Sequence, residues 1–210
     1  MVGEGGADVM GFHALEGMQC MLERRAGGET GVRAVLMLEG EAVWKAGNEG
    51  RWSKQLLSSA LSRSDTPQGL TITDGRTQDL TAPGVLPSLV QKPVACFIEY
   101  NDGTKATLLM LNGAIKDFNF AARVRGRPKP ISTQFLLTPV PNVTYSACLV
   151  SKIEEMFTTG RAPYPVERTL LTSGILEACL DSRVQSYQRL ETPHLKVRYQ
   201  PPAQSQYMRA

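Results

Sequence analysis

The alternation of apolar and polar positions is most regular between Pro93 and Leu137, and it predicts a four-stranded antiparallel meander. Within Cys96–Tyr100 the side chains alternate with a two-residue period, which is typical of a strand with two distinct faces. An Asn-Asp-Gly turn ending at Gly103 and an Asn-Gly turn ending at Gly113 supply residues that tolerate positive φ in tight hairpins. The four predicted strands are Cys96–Tyr100, Thr104–Leu111, Phe118–Arg125 and Ile131–Leu137.

Helical periodicity predicts helices on both sides of the meander. Between Val9 and Arg24, apolar residues recur at three- and four-residue steps and form one stripe. Longer helices are predicted over Tyr145–Phe157 and Val166–Val184, and shorter ones follow a strand at Val32–Leu38. Because such a sheet must bury an apolar face, we expect the helices to cover one face of it.

The order of these elements predicts an α+β fold with a mainly antiparallel sheet. We expect a single domain over residues 1–200 and a disordered tail over residues 201–210. Between Ser64 and Lys92 the sequence is rich in Thr, Asp, Gly, Pro and Gln, which predicts a long loop that is either functional or mobile.

The second face of the meander carries apolar residues that the predicted helices leave open. An open apolar patch above a few hundred Å² is rare on a monomer. We therefore expect a homo-oligomer, a dimer or larger, built face to face through this sheet. The residues assigned to the open face are Phe97, Leu109, Leu111, Ala121, Phe135 and Leu137.

Composition narrows the classes of partner. The 210 residues carry a formal net charge of +3, an excess too small to indicate nucleic-acid binding. No apolar run approaches the roughly 20 residues of a membrane span, and the first residues lack the basic start and apolar segment of a signal peptide. We expect a cytoplasmic protein that binds neither membrane nor nucleic acid.

Metal and disulfide chemistry find little support in the sequence. The four cysteines are far apart, without paired spacing, and each lies among apolar residues, so we interpret them as reduced core residues. Only two histidines occur, which disfavours a zinc site. The cysteines are Cys20, Cys96, Cys148 and Cys179.

Three further features bear on ligand chemistry. The glycines at the N-terminus fail the dinucleotide fingerprint, because its sixth position is Asp8 and no strand precedes it. His13, on the first predicted helix, is either a core residue or a proton-transfer group. A basic loop is either a solvated hairpin tip or an anion-binding site; its cations are Arg123, Arg125, Arg127 and Lys129.

The segment Gly6–Glu16, GADVMGFHALE, resembles the start of the second domain of Gfo/Idh/MocA-type oxidoreductases, which has a glycine pair, an aspartate and then Gly-x-His before an amphipathic helix. The stretch IEYNDGTKATLLMLNGA, Ile98–Ala114, is similar to that family's hairpin. The stretch PYPVERTLLTSGILEACLDSR, Pro163–Arg183, is similar to its closing helix. Gln91-Lys92-Pro93 lies downstream of His13 rather than upstream, so the family's lysine is not assigned here.

The resemblance implies a substrate-side and oligomerisation domain of an NAD(P)-dependent oxidoreductase, acting on a small polar substrate. It places His13 at the position of the family's proton-relay histidine. The family's aspartate position holds Val9 here, and Asp8, one place earlier, is the second candidate catalytic residue. The family's N-terminal dinucleotide-binding domain is missing from this chain, so we expect no cofactor binding here, whereas NAD or NADP is implied for a longer protein. The alternatives are a non-catalytic module for self-association or partner binding, and a small-ligand binder that holds an anionic group.

Overall fold

The computed structural model describes residues 1–68, 79–136 and 143–203, without the side chains of residues 143–145. These ranges form one mixed sheet with helices on both faces. The strands are β1 (Val2–Gly3), β2 (Val32–Glu39), β3 (Val94–Tyr100), β4 (Lys105–Met110), β5 (Phe118–Ala122), β6 (Ile131–Phe135) and β7 (Leu190–Glu191). The helices are α1 (Gly11–Leu22), α2 (Glu41–Asn48), α3 (Lys54–Leu61), α4 (Val85–Leu89), α5 (Val143–Thr159) and α6 (Glu167–Val184), followed by a 3-10 turn at Pro193–Leu195.

The strand order is β6-β5-β1-β4-β3-β2-β7, and every pair except β1–β4 is antiparallel. The predicted α+β class with a mainly antiparallel sheet is thus confirmed, as are the β3–β4 hairpin and the pairing of β5 with β6. The prediction that the four strands form an uninterrupted meander is wrong, because β1 lies between β4 and β5. Val2 pairs with Leu109 on one side and with Asn119 on the other. Leu137, the predicted end of the meander, lies outside the described residues.

Helices cover both faces of the sheet, so the prediction that they cover one face is also wrong. Helices α1 and α6 pack on one face around Met18 and Ile175. Helices α2, α3 and α4 pack on the other around Val43, Leu57 and Leu86. The physical reason lies in β4 and the residue after it, where consecutive apolar side chains project to both faces; such a run is typical of a strand buried on both sides.

The residues predicted to form an open oligomeric face are largely inside the monomer. Leu109, Leu111 and Ala121 are buried beneath α2, α3 and α4, and Phe97 is half-buried there. The location proposed for the interface is therefore wrong, while the oligomeric state itself stays a prediction. Helix α5 forms as predicted but adds little to the core, because Leu149 and Phe157 are exposed.

A buried polar network ties α1 to α6 and to the C-terminal segment. Arg168 Nε donates to Glu23 Oε2 at 2.9 Å, and Tyr199 Oη donates to the same oxygen at 2.8 Å. Gln19 Nε2 donates to Tyr199 Oη at 2.9 Å. Burial raises the pKa of the Tyr199 hydroxyl, which therefore remains a donor at neutral pH. Along the described parts of the chain, no helix combines the length and apolarity needed to cross a bilayer.

Candidate functional site

A gap in the sheet lies between β4 and β5, next to the short strand β1. The Met1 amine donates to Thr107 O at 3.0 Å, and Leu109 N donates to Met1 O at 2.9 Å, which closes one end of the gap. Beyond Met1, no described strand separates residues 105–107 from residues 120–122. Because β1 holds its two neighbours two strand spacings apart, about 9–10 Å, the gap has the width of one strand.

The gap is a cavity of about 850 Å³ with one apolar wall and one mixed wall. That volume lies within the range of ligand sites in proteins. On the α1 side the wall is apolar, and it includes Met18, Leu22 and Phe120. On the opposite side α3 and the segment before it contribute Trp52 and Leu56 together with polar side chains.

Four cations line the gap, and no described carboxylate does. Their described contacts are with neutral groups. Lys54 Nζ donates to Asn48 Oδ1 at 2.8 Å, and Arg123 Nη2 donates to Gln55 Oε1 at 2.7 Å. None of the four forms an ion pair with another described residue, so the charge that the described residues bring to the gap is positive. The four are Arg51, Lys54, Lys105 and Arg123.

The positive charge of the gap comes from these side chains rather than from the N-terminus. Burial lowers the pKa of the Met1 α-amino group to about 5, so this amine is neutral at pH 7. Arg51 adds a cation–π contact, with its guanidinium carbon 4.8 Å from the centre of the Phe97 ring.

All four cations lie on the α3 side of the sheet. Side chains alternate along a strand, and Leu109 and Ala121 belong to the core cluster on that side. Lys105 is four residues before Leu109, and Arg123 is two residues after Ala121. Both separations are even, so Lys105 and Arg123 project to the same face of the sheet as Leu109 and Ala121. The gap is therefore cationic on the α3 side and apolar on the α1 side.

His13 and Asp8, the residues predicted to be catalytic, lie elsewhere. Both are exposed, and neither lines the gap. The described contact of the His13 ring is an edge-to-face arrangement with Phe12, with ring centres 6.0 Å apart. Since His13 is exposed, the alternative that it is a core residue is wrong. Its role in proton transfer stays a prediction.

A second cavity, of about 700 Å³, lies between the start of α1, helix α6 and the 3-10 turn. Its lining includes Phe12, Leu170 and His194, with Glu177 and Asp181 from α6. The carboxylates and the imidazole share this cavity, but no described hydrogen bond or ion pair joins them. We assign it no function.

Asp117 forms a third polar cluster, just before β5. Its Oδ2 accepts from Ser64 Oγ at 2.9 Å and from Gln134 Nε2 at 3.0 Å, and its Oδ1 accepts from Asn119 Nδ2. Burial raises the pKa of Asp117, but these hydrogen bonds outweigh that effect and hold the pKa below its usual value. The cluster anchors the start of β5 to the residues after α3. It lies at the beginning of the predicted Ser64–Lys92 loop, of which residues 69–78 are outside the described ranges.

The sequence singled out one of the four gap cations, Arg123, as part of the basic loop. The other cations of that loop are exposed and do not line the gap. Lys105 and Arg123 flank the same opening only because β1 separates their strands, and a two-residue strand has too short a pattern to be recognised in a sequence. Of the predicted core cysteines, Cys96 and Cys179 are buried, whereas Cys20 and Cys148 are only partly so.

No protein-family model, curated protein or solved structure matches this chain. The geometry of the described residues is therefore the basis for assigning a function.

Proposed function

We propose that this protein is a binding module that takes a ligand with an anionic group and an apolar portion into the gap between β4 and β5. One observation carries this proposal: four cations without a described ion-pair partner lie opposite an apolar wall across a cavity of about 850 Å³. Uncompensated cations attract and orient an anion, and the apolar wall favours burial of a hydrocarbon portion.

The chemistry of the lining favours binding over catalysis. Among the described residues that line the gap there is no histidine, cysteine, aspartate or glutamate, and the side chains of a type that can act as a general base are those of Lys54 and Lys105. The hydroxyl of Ser53 already accepts from Leu56 N at 3.2 Å as the N-cap of α3. This agrees with the non-catalytic alternative drawn from the sequence, whereas the oxidoreductase role, with His13 and Asp8 beside a substrate, stays a separate prediction.

A titration with dodecanoate, below its micellar concentration, tests the proposal. We expect saturable binding by calorimetry, with a change in fluorescence from Trp52, which lines the gap. Dodecyltrimethylammonium, with the same chain and the opposite charge, should bind at least tenfold more weakly. Raising the salt concentration should weaken dodecanoate binding, because screening reduces the attraction of the cations.

Charge reversal locates the site. The double variant Lys105→Glu/Arg123→Glu should weaken dodecanoate binding more than tenfold. The control Arg125→Glu/Arg127→Glu makes the same change of charge at exposed residues outside the gap, and should leave the affinity within a factor of two. Equal losses in the two variants, or equal affinity for the two surfactants, would refute the proposed function.

A further inference from the structure

We propose that helix α5 is a self-association surface, through which two copies of this chain pair with their α5 helices parallel. The surface is formed by five apolar side chains that recur at three- and four-residue steps along one side of the helix, and we call them the α5 stripe. None of them lines the gap between β4 and β5, so this surface is separate from the proposed ligand site. The five are Leu149, Val150, Ile153, Met156 and Phe157.

The α5 stripe faces away from the rest of the chain. At about 100° per residue, its five side chains lie within about 60° of Ile153, and all are exposed, Phe157 at 79%. The less exposed residues in the described part of α5 project about 100° or more away from Ile153; they are Cys148, Ser151 and Lys152. α5 therefore directs its apolar side toward solvent, the reverse of a helix that packs on its own domain.

A helix with this orientation needs a covering surface. α5 spans 17 residues and is rich in β-branched residues and serine, so in isolation it would be marginally stable. No other described helix or strand packs extensively on it. From their exposed fractions, the five side chains leave about 500 Å² open, which is within the range of the largest patches on monomers, and such patches are often functional. Pairing two stripes would remove about 1,000 Å² from water, which meets the lower bound for a specific interface.

The charges beside the α5 stripe favour a second copy of the chain over an anionic lipid surface. Helices that lie on membranes carry lysine and arginine on their polar side. α5 instead carries one lysine, Lys152, and two glutamates, Glu154 and Glu155. Lys152 Nζ donates to Glu155 Oε2 at 2.7 Å, so the one cation is already held by a carboxylate of the same helix. The helix is acidic overall, and an anionic membrane would repel it.

The same charges select a parallel pairing. Lys152 and Glu154 directly precede and follow Ile153, so they project about 100° to either side of it and border the stripe. A two-fold axis along parallel helices brings the Lys152 side of each copy next to the Glu154 side of the other. With antiparallel helices centred on Ile153, the two-fold axis would bring lysine against lysine and glutamate against glutamate, and like charges repel.

Sedimentation velocity at micromolar to tens of micromolar concentrations tests the surface with substitutions at two adjacent residues. Phe157→Glu places a carboxylate in the stripe. Thr158→Glu adds the same charge at an exposed residue that projects about 140° away from Ile153, off the stripe. We expect wild type and Thr158→Glu to dimerise equally, and Phe157→Glu to raise the dissociation constant of the dimer about tenfold or more. Circular dichroism checks that both variants keep the helix content of wild type.

Cysteine crosslinking tests the parallel orientation. In a parallel pair each stripe residue lies beside its own equivalent, so Leu149→Cys in a Cys148→Ser background should give a disulfide-linked dimer when treated with diamide. In an antiparallel pair centred on Ile153, Leu149 of one copy lies beside Phe157 of the other. Only a mixture of Leu149→Cys and Phe157→Cys would then crosslink. The Cys148→Ser protein gives the background from the remaining cysteines.

Three results would overturn the proposal. The first is a wild type that stays a 23.0 kDa monomer at every concentration. The second is a dimer that Phe157→Glu weakens no more than Thr158→Glu does, which would place the interface elsewhere. The third is crosslinking confined to the mixture, which would exclude the parallel pair. A monomer that instead sediments with vesicles of phosphatidylcholine and phosphatidylserine, and loses this binding in Phe157→Glu, would assign the α5 stripe to a lipid surface.

Discussion

Arg168 of α6 and Glu23 at the end of α1 form a two-pronged ion pair in the core, in which two guanidinium nitrogens donate to the two carboxylate oxygens. Both side chains are almost entirely withdrawn from solvent. The pair joins two helices that are far apart in sequence, and it orients Tyr199, whose hydroxyl donates to the same carboxylate.

Removal of one partner of this pair should be strongly destabilising. We expect Arg168→Met to lower the free energy of unfolding by about 3–5 kcal/mol, because the Glu23 carboxylate is left buried without its counter-ion. The double variant Glu23→Leu/Arg168→Met should recover a large part of that loss. Urea denaturation of the three proteins gives the comparison; a double variant less stable than the single one would contradict it.

Glu99 makes stability depend on pH in the acid range. Hydrogen bonds from Arg189 and Arg33 lower the pKa of Glu99 to about 2. Since this pKa is lower in the folded state than in the unfolded state, the stabilisation is present above about pH 4.5 and is lost as the pH falls toward 2. The side chain is partly exposed, so the effect should be about 1 kcal/mol or less. Unfolding free energies of wild type and Glu99→Gln should converge as the pH falls from 4.5 to 2.

The indole of Trp52 leaves no space for a side chain at Gly47 of α2. A Cβ at this position would lie 2.1 Å from Trp52 Cζ2, and the indole is held by a hydrogen bond of 3.0 Å from Nε1 to Val43 O. Gly47→Ala should cost about 1–3 kcal/mol and change the Trp52 fluorescence. Gly17→Ala, on α1, adds a Cβ with ordinary contacts and should be neutral or slightly stabilising. Equal stability of the two variants would contradict the packing described.

His13 is exposed, so its replacement should affect catalysis without affecting the stability of the fold. His13→Asn should leave the unfolding free energy within about 0.5 kcal/mol of wild type. If the histidine transfers a proton in an oxidoreductase, turnover of the intact enzyme should fall by about 10²–10⁴-fold. Thermal denaturation and steady-state kinetics measure the two effects independently; unchanged turnover would remove His13 from the mechanism.

Self-association stays a prediction, but Leu109 is not a surface residue at which to test it. Leu109 is 4% exposed, so Leu109→Glu should unfold the monomer by burying a carboxylate. Phe157 on α5 is 79% exposed, and Phe157→Glu should preserve the fold. Circular dichroism separates the two variants. Sedimentation of the wild type at tens of micromolar tests for the dimer, and a 23.0 kDa species alone would refute it.

Local patterns predicted the elements, and long-range pairing decided their arrangement. The alternation in β3, the Asn-Asp-Gly turn and the helical stripe of α1 are short-range signals, and each gave the correct element. The position of β1 and the covering of the second face depend on contacts between distant segments. The clustering of the gap cations was missed for the same reason. Only Arg123 was singled out in the sequence, because Arg51 and Lys105 approach it only after the sheet has assembled.

The insertion of β1 at the centre of the sheet also constrains how the chain reaches its native state. The register joins Val2 to Leu109 and Asn119, so β1 can pair on both sides only after β4 and β5 are in place. The β3–β4 hairpin, whose partners are close in sequence, can form early. Closing the sheet around β1 is a non-local step, and topologies dominated by such steps fold slowly. The two pairings of β1 are therefore completed only when β5 joins the sheet, after the β3–β4 hairpin has formed.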